Sequence, residues 1–369
     1  MQLPTILKFT DLFYNKVLPR IDDIPLTTDD LFLIEYNKIF STGADTTGLP
    51  NMDRSGLLTQ RYKFANNTPP VFSPFTLPLE QIIVNRCYEL LNDDKVIKFF
   101  WSGGIDSTMV LAWLMEIAPA RDQLEIFYTC DSIKTNPEFV SEIMKRNFRV
   151  TLWSDEWENL FDKDKMVLTG MSADQLTASL DISFYQDHSE WLFKPWIDFF
   201  QHTGKSPEFI KKCNLIFSQC PVEIYTVLDA RWWFYFYIRY DYWLTRDWEK
   251  NLENFGPTNN KCFFNSAEFN NWSMHNKHLM LGDAYTTYKQ IFKDETAKIW
   301  PNEKFRINQV KTDGSNPLYW TKKKIALHDQ HYLFMYLDGN AEPALFRTKN
   351  LPFINMADIK KSIEDLNAT

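Results

Sequence analysis

A glycine turn between a strand and a helix limits the fold of this chain more than any other feature of its sequence. Residues 96–101 form a short apolar run that is typical of a buried parallel strand. Ser102-Gly103-Gly104 follows this run, and residues 109–117 then predict a helix. A strand that turns at glycines into a helix is a building unit of parallel α/β sheets.

The same alternation continues on both sides of the turn. Apolar positions in residues 79–91 have helical spacing, and Asn136-Pro137-Glu138 opens another helix with Asn as the cap and Pro in the first turn. Further strands are predicted at residues 124–129, 148–153 and 165–170. We therefore expect a doubly wound parallel sheet, covered on both faces, that binds ligands at the carboxyl ends of its strands.

The rest of the chain divides by composition. Residues 1–78 contain scattered prolines and polar turns and predict a small N-terminal accessory region. The main domain is predicted at residues 79–320, with a helical and aromatic C-terminal part, and residues 321–369 form an extension. The aromatic run at residues 232–238 favours a buried helix face over a platform for stacking bases.

Composition excludes some classes of protein. The 40 Lys and Arg residues against 48 Asp and Glu residues give a net charge of −8, which argues mildly against a polyanion partner, although a local basic groove for nucleic acid stays open. The five cysteines form no C-x-x-C pair and predict reduced thiols in a cytoplasmic protein. The sequence shows no signal pattern and no apolar run of the roughly 20 residues that span a bilayer, so we expect no membrane partner.

The glycine turn has the chemistry of an anion site. Backbone N–H groups of Ser102-Gly103-Gly104 and of the following helix would converge on a phosphate, and the hydroxyl groups of Ser107 and Thr108 would add donors. Asp106 would repel that phosphate unless a magnesium ion lay between them. A Gly-Gly pair alone more often makes only a tight turn, but the full Ser-Gly-Gly-x-Asp-Ser-Thr string is more specific. It lacks the Gly-Lys-Ser/Thr ending typical of NTPases that cleave the γ-phosphate.

This string resembles the signature of the PP-loop ATP pyrophosphatases, and the chain is most similar to the synthetase domain of asparagine synthetase. The family usually has Gly-Glu-Gly-Ala-Asp-Glu after a later strand, and residues 168–175 occupy that place here. The resemblance implies an adenine nucleotide α-hydrolase-like fold that binds ATP and Mg²⁺. It also implies that Asp106 and Asp174 hold the magnesium against the pyrophosphate, that Gly170 lies beside the nucleotide, and that Tyr128 belongs to the strand end around the adenine.

Two weaker motifs follow in the order of the family. Residues 261–265 resemble its Arg-Val-Pro-Phe-Leu-Asp segment, and residues 289–293 resemble its Lys-x-x-Leu-Arg helix. The similarity continues to about residue 317. It implies catalytic roles for Lys289 and for Lys311. Lys311 matches the lysine that, in the family, stabilises the negative charge that develops as pyrophosphate leaves. A solvated turn residue is the competing interpretation of Lys311.

The chain departs from the family at two places. Position 2 is Gln2, where the glutaminase domain of asparagine synthetases has its cysteine nucleophile, and the N-terminal region is too short for that domain. We therefore expect no ammonia production from glutamine by this chain. Met171 replaces the glutamate that lies beside the activated carboxylate and the incoming nitrogen in the family. This change favours an acceptor that is bulkier or less polar than ammonia.

We therefore expect an ATP-dependent ligase that forms AMP and pyrophosphate. It would adenylate a small-molecule carboxylate or amide, and an amine would then displace AMP from the activated substrate. Two alternatives stay open, namely a PP-loop enzyme that modifies a nucleotide or a nucleic-acid base, and a catalytically degenerate nucleotide-binding module. The sequence leaves the acyl substrate, the amine and the oligomeric state open.

Overall fold

A computed structural model gives the fold of most of the main domain. It describes residues 28–40, 53–58, 70–93, 95–128, 130–152, 165–178, 188–238, 260–277, 289–309, 332–336 and 343–347. The chain forms two compact units. We call Asn66–Leu180 with Asp247–Ser315 the sheet unit, and Met1–Ala65 with Asp181–Arg246 and Asn316–Thr369 the second unit. The domain boundaries predicted after residues 78 and 320 stay a prediction.

Helices and strands alternate from α2 to β4, and most of the other described elements are helices. The helices are α1 (Thr28–Phe40), α2 (Leu79–Leu91), α3 (Ile105–Ile117), α4 (Cys130–Thr135), α5 (Pro137–Lys145), α6 (Ala173–Thr177), α7 (Trp196–His202), α8 (Pro207–Phe217), α9 (Val227–Trp233), α10 (Ala267–Asn276), α11 (Gln290–Ile299) and α12 (Glu303–Asn308). The strands are β1 (Val96–Trp101), β2 (Leu124–Tyr128), β3 (Arg149–Leu152), β4 (Lys165–Thr169), β5 (Asn260–Cys262), β6 (Tyr332–Tyr336) and β7 (Pro343–Arg347). A short 3₁₀ helix at Arg121–Gln123 precedes β2, and a π-helix at Phe234–Ile238 follows α9.

The sheet unit is built on five parallel strands in the order β3-β2-β1-β4-β5. From β1 the chain adds strands first on one side and then on the other, so the order reverses between β1 and β4. The loops that follow these two strands therefore leave the sheet side by side at its carboxyl edge, which is where open α/β sheets bind ligands. The predicted α/β class with a parallel sheet is confirmed.

The predicted strands agree with the structure to within one residue at each end. Residues 124–129, 148–153 and 165–170 were expected, and β2, β3 and β4 lie inside these ranges. The helix cap is also confirmed, because the Asn136 side chain accepts a hydrogen bond from the Phe139 N–H. The strand β5 was not predicted, since its three residues are too short to show a periodic pattern.

Helix α3 is the centre of the packing in the sheet unit. Its residues from Met109 to Met115 are all buried, so it is apolar around its whole circumference. Helices α2 and α11 pack against it. This arrangement brings the start of α11 close to the start of α3, where the glycine turn lies.

The second unit contains the aromatic run that the sequence assigns to a buried helix face. Residues 232–238 are at most 2% exposed, which confirms that prediction. They belong to α9 and to the π-helix. Arg231 in the same segment is also fully buried, and its Nη1 donates to the carbonyl oxygen of Phe40 at 2.6 Å. In this unit β6 and β7 form an antiparallel pair.

Two general expectations can be compared with the described residues. Within them, no helix has the length and apolar character needed to cross a membrane. The cysteines whose side chains the structure describes are free thiols, namely Cys87, Cys213, Cys220 and Cys262.

The glycine turn gives a test of this packing. Gly103 has φ +78°, and a Cβ atom there would clash with the carbonyl oxygen of Ser132 and lie 2.9 Å from Cβ of Thr135. We expect Gly103→Ala to lower the free energy of unfolding by about 3 kcal/mol, from the left-handed backbone and the clash together. Gly204 has φ +70° with nothing within 4 Å, so Gly204→Ala should cost only about 1 kcal/mol. Urea unfolding measures the stability of both variants. Equal losses in the free energy of unfolding would contradict the close contact between Gly103 and Ser132.

Candidate functional site

The predicted site residues that the structure describes meet at the carboxyl ends of β1 and β4. Ser102-Gly103-Gly104 joins β1 to α3, and residues 170–172 join β4 to α6. The loop after β4 lies against the first turn of α3, because a Cβ atom on Gly170 would lie 3.1 Å from Cα of Ser107. Each following helix has an aspartate in its first turn, Asp106 in α3 and Asp174 in α6.

Lys289 joins these two aspartates. Its Nζ atom forms an ion pair with Oδ2 of Asp106 and a second one, at 2.5 Å, with Oδ1 of Asp174. The lysine side chain is 3% exposed, whereas the aspartate side chains are 20% and 22% exposed. The ammonium group therefore lies beneath two carboxylates that face solvent in part. The structure thus brings together the two predicted magnesium ligands and one of the two predicted catalytic lysines.

The charge of Lys289 is secured by its partners. Burial alone would lower the pKa of Lys289, because it disfavours the ammonium form. The carboxylates of Asp106 and Asp174 outweigh this effect, and the pKa is raised above its ordinary value of 10.5. Lys289 is therefore protonated at neutral pH.

The donor set suits a magnesium ion that arrives with a nucleotide. Among the residues that the structure describes, no group of three or more His, Cys, Asp and Glu side chains could hold a metal ion. Mg²⁺ is commonly bound by one or two carboxylates, with substrate phosphates and water as its other ligands. Asp106 and Asp174 already hold one cationic group between them, so their spacing fits this mode of binding.

Hydrogen bonds fix the shape of the glycine turn. The hydroxyl oxygens of Ser102 and Ser107 lie 2.9 Å apart, and the Ser107 hydroxyl oxygen accepts from the Ser102 N–H at 3.2 Å. Ser102 is exposed and Gly104 is the N-cap residue of α3. Because glycine offers no side-chain cap, the first-turn N–H groups of α3 are suited to an anion.

The other predicted nucleotide residues differ in position. Thr108 is fully buried, and its Oγ1 accepts a hydrogen bond from Nε1 of Trp101 at 3.0 Å. The structure therefore places this hydroxyl inside the fold and not at the opening of the loop. Tyr128 is half-buried at the end of β2 and pairs in register with Trp101. Lys311 lies outside the described residues.

The loop after β4 is strained and tied to the neighbouring strand. Ser172 has φ +71°, a left-handed conformation that favours glycine, and the motif that residues 168–175 resemble has glycine at this position. The carbonyl oxygen of Met171 accepts from the Cys262 thiol at 2.7 Å. Cys262 is buried, and this burial raises the pKa of its thiol. This contact could not be predicted from the sequence, because Cys262 lies in the short strand β5.

A second buried lysine was not recognised from the sequence. Lys293 lies one turn after Lys289 in α11 and is fully buried, and this burial lowers its pKa. Its Nζ atom donates to the carbonyl oxygen of Gln309 at 3.3 Å, just before the segment that contains Lys311. The last position of the Lys-x-x-Leu-Arg motif was the only signal for this residue.

Comparisons with known proteins give no family for this chain. No protein-family model matches it. No curated protein matches it significantly in sequence. The resemblance to the PP-loop enzymes therefore depends on the short motifs alone.

The ion pairs of Lys289 predict a measurable stability. Lys289→Met would leave two neighbouring carboxylates without their counter-charge, and we expect a loss of about 2 kcal/mol in the free energy of unfolding. Lys298 in the same helix also contacts two carboxylates, those of Glu80 and Glu295, but it is 44% exposed. Lys298→Met should therefore cost less than about 1 kcal/mol. Urea unfolding at neutral pH measures both losses. Equal losses of stability in the two variants would contradict a larger contribution from the buried ion pairs of Lys289.

The pH dependence of this difference follows from the raised pKa of Lys289. A group whose pKa is raised by folding contributes its full stability below its pKa in the unfolded chain. The contribution is lost as the pH rises through the folded-state pKa, which lies above 10.5. The stability difference between the wild type and Lys289→Met should stay constant from pH 7 to about pH 10 and shrink above it. A difference that disappears below pH 9 would contradict this assignment.

Proposed function

We propose that this chain is an ATP-dependent ligase of the asparagine synthetase type, which cleaves ATP to AMP and pyrophosphate. The observation that carries the proposal is the junction of Asp106 and Asp174 through Lys289. The sequence signature singled out both aspartates as magnesium ligands. The sheet brings them within contact of a single ammonium group.

A purely structural salt-bridge network is the competing interpretation of this junction. Two features favour a ligand site. The carboxylates keep about a fifth of their side-chain surface exposed, although their counter-ion is buried. They also lie beside a glycine turn at the point where the strand order reverses, which is the usual ligand position in open α/β sheets.

The residues of the chain have separate tasks in this proposal. The N–H groups of the glycine turn and of the first turn of α3 bind phosphate oxygens. Asp106 and Asp174 hold the magnesium ion, which supplies charge neutralisation for the pyrophosphate group. Lys289 keeps the two carboxylates in position. The family resemblance adds Lys311 as a further cation near the phosphates and places the adenine at the end of β2, beside Tyr128.

The proposed reaction has two steps. An oxygen of a small-molecule carboxylate or amide attacks the α-phosphorus, and the bond between the α-phosphorus and the leaving pyrophosphate breaks. An amine then attacks the carbon that carries the adenylated oxygen. The bond between this carbon and that oxygen breaks, AMP leaves with the oxygen, and the amine loses a proton. Met171 is the reason to propose an amine other than ammonia, because it replaces the glutamate of the ammonia pocket. We further propose that this reaction takes place in the cytoplasm.

The test follows the label of [α-³²P]ATP. We expect labelled AMP, and not ADP, to form when the protein is incubated with magnesium, ATP and a small-molecule extract of cells. Asp106→Asn and Asp174→Asn should each lower the rate of AMP formation at least about 100-fold, because each removes a group that stabilises the charge of the leaving pyrophosphate. Asp198→Asn is the matched control, since Asp198 is an exposed aspartate in the first turn of α7, and it should leave the rate unchanged.

The other outcomes assign the chain to other functions. Labelled ADP as the product would contradict the cleavage that we propose. AMP formation that requires RNA or a nucleoside would instead support modification of a base. Binding of magnesium ATP without AMP formation, with every extract fraction tried, would support a nucleotide-binding module.

A further inference from the structure

The two aspartates of the site are already bound to a cation, the ammonium group of Lys289. Lys289 contacts Oδ2 of Asp106, and Oδ1 of the same carboxylate is closed to solvent. A metal ion that approaches from solvent therefore meets the oxygen of Asp106 that the lysine holds. The ammonium and a free divalent cation would compete for the same carboxylate pair.

Lys289 is anchored through its backbone. It is the N-cap residue of α11, with φ +50°, and its carbonyl oxygen accepts from the N–H groups of Phe292 and Lys293 at 3.0 and 3.2 Å. Helix α11 in turn packs against α3, which contains Asp106. The start of α11, from which the Lys289 side chain extends, is therefore fixed near the first turn of α3.

The charges explain why a free divalent cation would bind weakly. Asp106 and Asp174 carry two negative charges, and Lys289 carries one positive charge. A divalent cation on the same carboxylates would bring the positive charges to three and would lie next to the ammonium group, which repels it strongly in a partly buried site. Phosphate groups bring negative charge that offsets this repulsion.

We propose that Lys289 makes divalent-cation binding at Asp106 and Asp174 conditional on a nucleotide. The inference rests on the proposed function, because it takes the aspartates as the metal ligands. The ligand of this site is then a complex of cation and nucleotide, and a free cation is rejected. Lys289 acts as a selectivity residue as well as a structural one.

Titrations of the wild-type protein test whether cation binding requires a nucleotide. Mn²⁺ replaces Mg²⁺ as the probe, and electron paramagnetic resonance counts the manganese that remains free in solution. We expect no binding of Mn²⁺ alone up to millimolar concentrations. With adenosine 5′-(α,β-methylene)triphosphate, which is not cleaved between the α- and β-phosphates, we expect Mn²⁺ to bind together with the nucleotide. Binding of Mn²⁺ without nucleotide at the same affinity, or no binding in either case, would overturn the proposal.

Variants assign the effect to the lysine. Lys289→Met should bind Mn²⁺ without nucleotide at least about tenfold more tightly than the wild type, because the repelling charge is gone. Adding Asp106→Asn to that variant should abolish the gain. Lys304→Met also removes one positive charge, from an exposed lysine that pairs with Glu138, and it should show no gain. Lys289→Gln replaces Lys289→Met if the latter does not fold.

Two results with these variants would overturn the inference. The first is an equal gain in Lys304→Met, which would show that net charge alone controls the binding of manganese. The second is a gain in Lys289→Met that persists without the Asp106 carboxylate. The titrations need no catalysis, so they are independent of the AMP assay. If AMP forms but Mn²⁺ binds without nucleotide, only the inference fails; if Mn²⁺ binding is conditional but ADP forms, only the proposed function fails.

Discussion

The ion pairs of Lys289 with Asp106 and Asp174 are the interaction on which the site depends. They join three segments that are far apart in the sequence, namely the first turn of α3, the first turn of α6 and the N-cap of α11. Each member alone would be costly, since the lysine is buried and the aspartates would repel each other. Together they form a compact cluster whose net charge is −1, and the aspartate side chains of this cluster stay partly exposed.

The backbone determines where this cluster can form. The strand order places the loops after β1 and β4 next to each other, and Gly170 lets the loop after β4 approach the first turn of α3 closely. On the other side of the turn, Gly103 lies against α4 in a left-handed conformation. The charged cluster and the two glycines therefore lie at the same edge of the sheet. A substitution at either glycine would disturb the backbone that positions the cluster.

Much of this sheet edge could be predicted from the sequence, because the strands are continuous apolar runs and the turn contains two glycines. The pairing of Asp106 and Asp174 also followed from two short motifs. The position of Lys289 between them could not be predicted, since contacts between distant segments depend on strand order and helix packing. The buried hydroxyl of Thr108 was missed for a similar reason, because its partner Trp101 lies in the preceding strand. Short motifs indicate which residues are candidates for a site, but the packing of the fold determines where their side chains lie.

In the proposed function, Asp106 and Asp174 hold a divalent cation against the phosphates of ATP. Anomalous diffraction from crystals grown with Mn²⁺ and adenosine 5′-(α,β-methylene)triphosphate would locate this cation. We predict a manganese peak in direct contact with both carboxylates and with phosphate oxygens that lie at the glycine turn after β1. A manganese peak away from the two aspartates, or phosphates bound elsewhere in the sheet unit, would contradict the account.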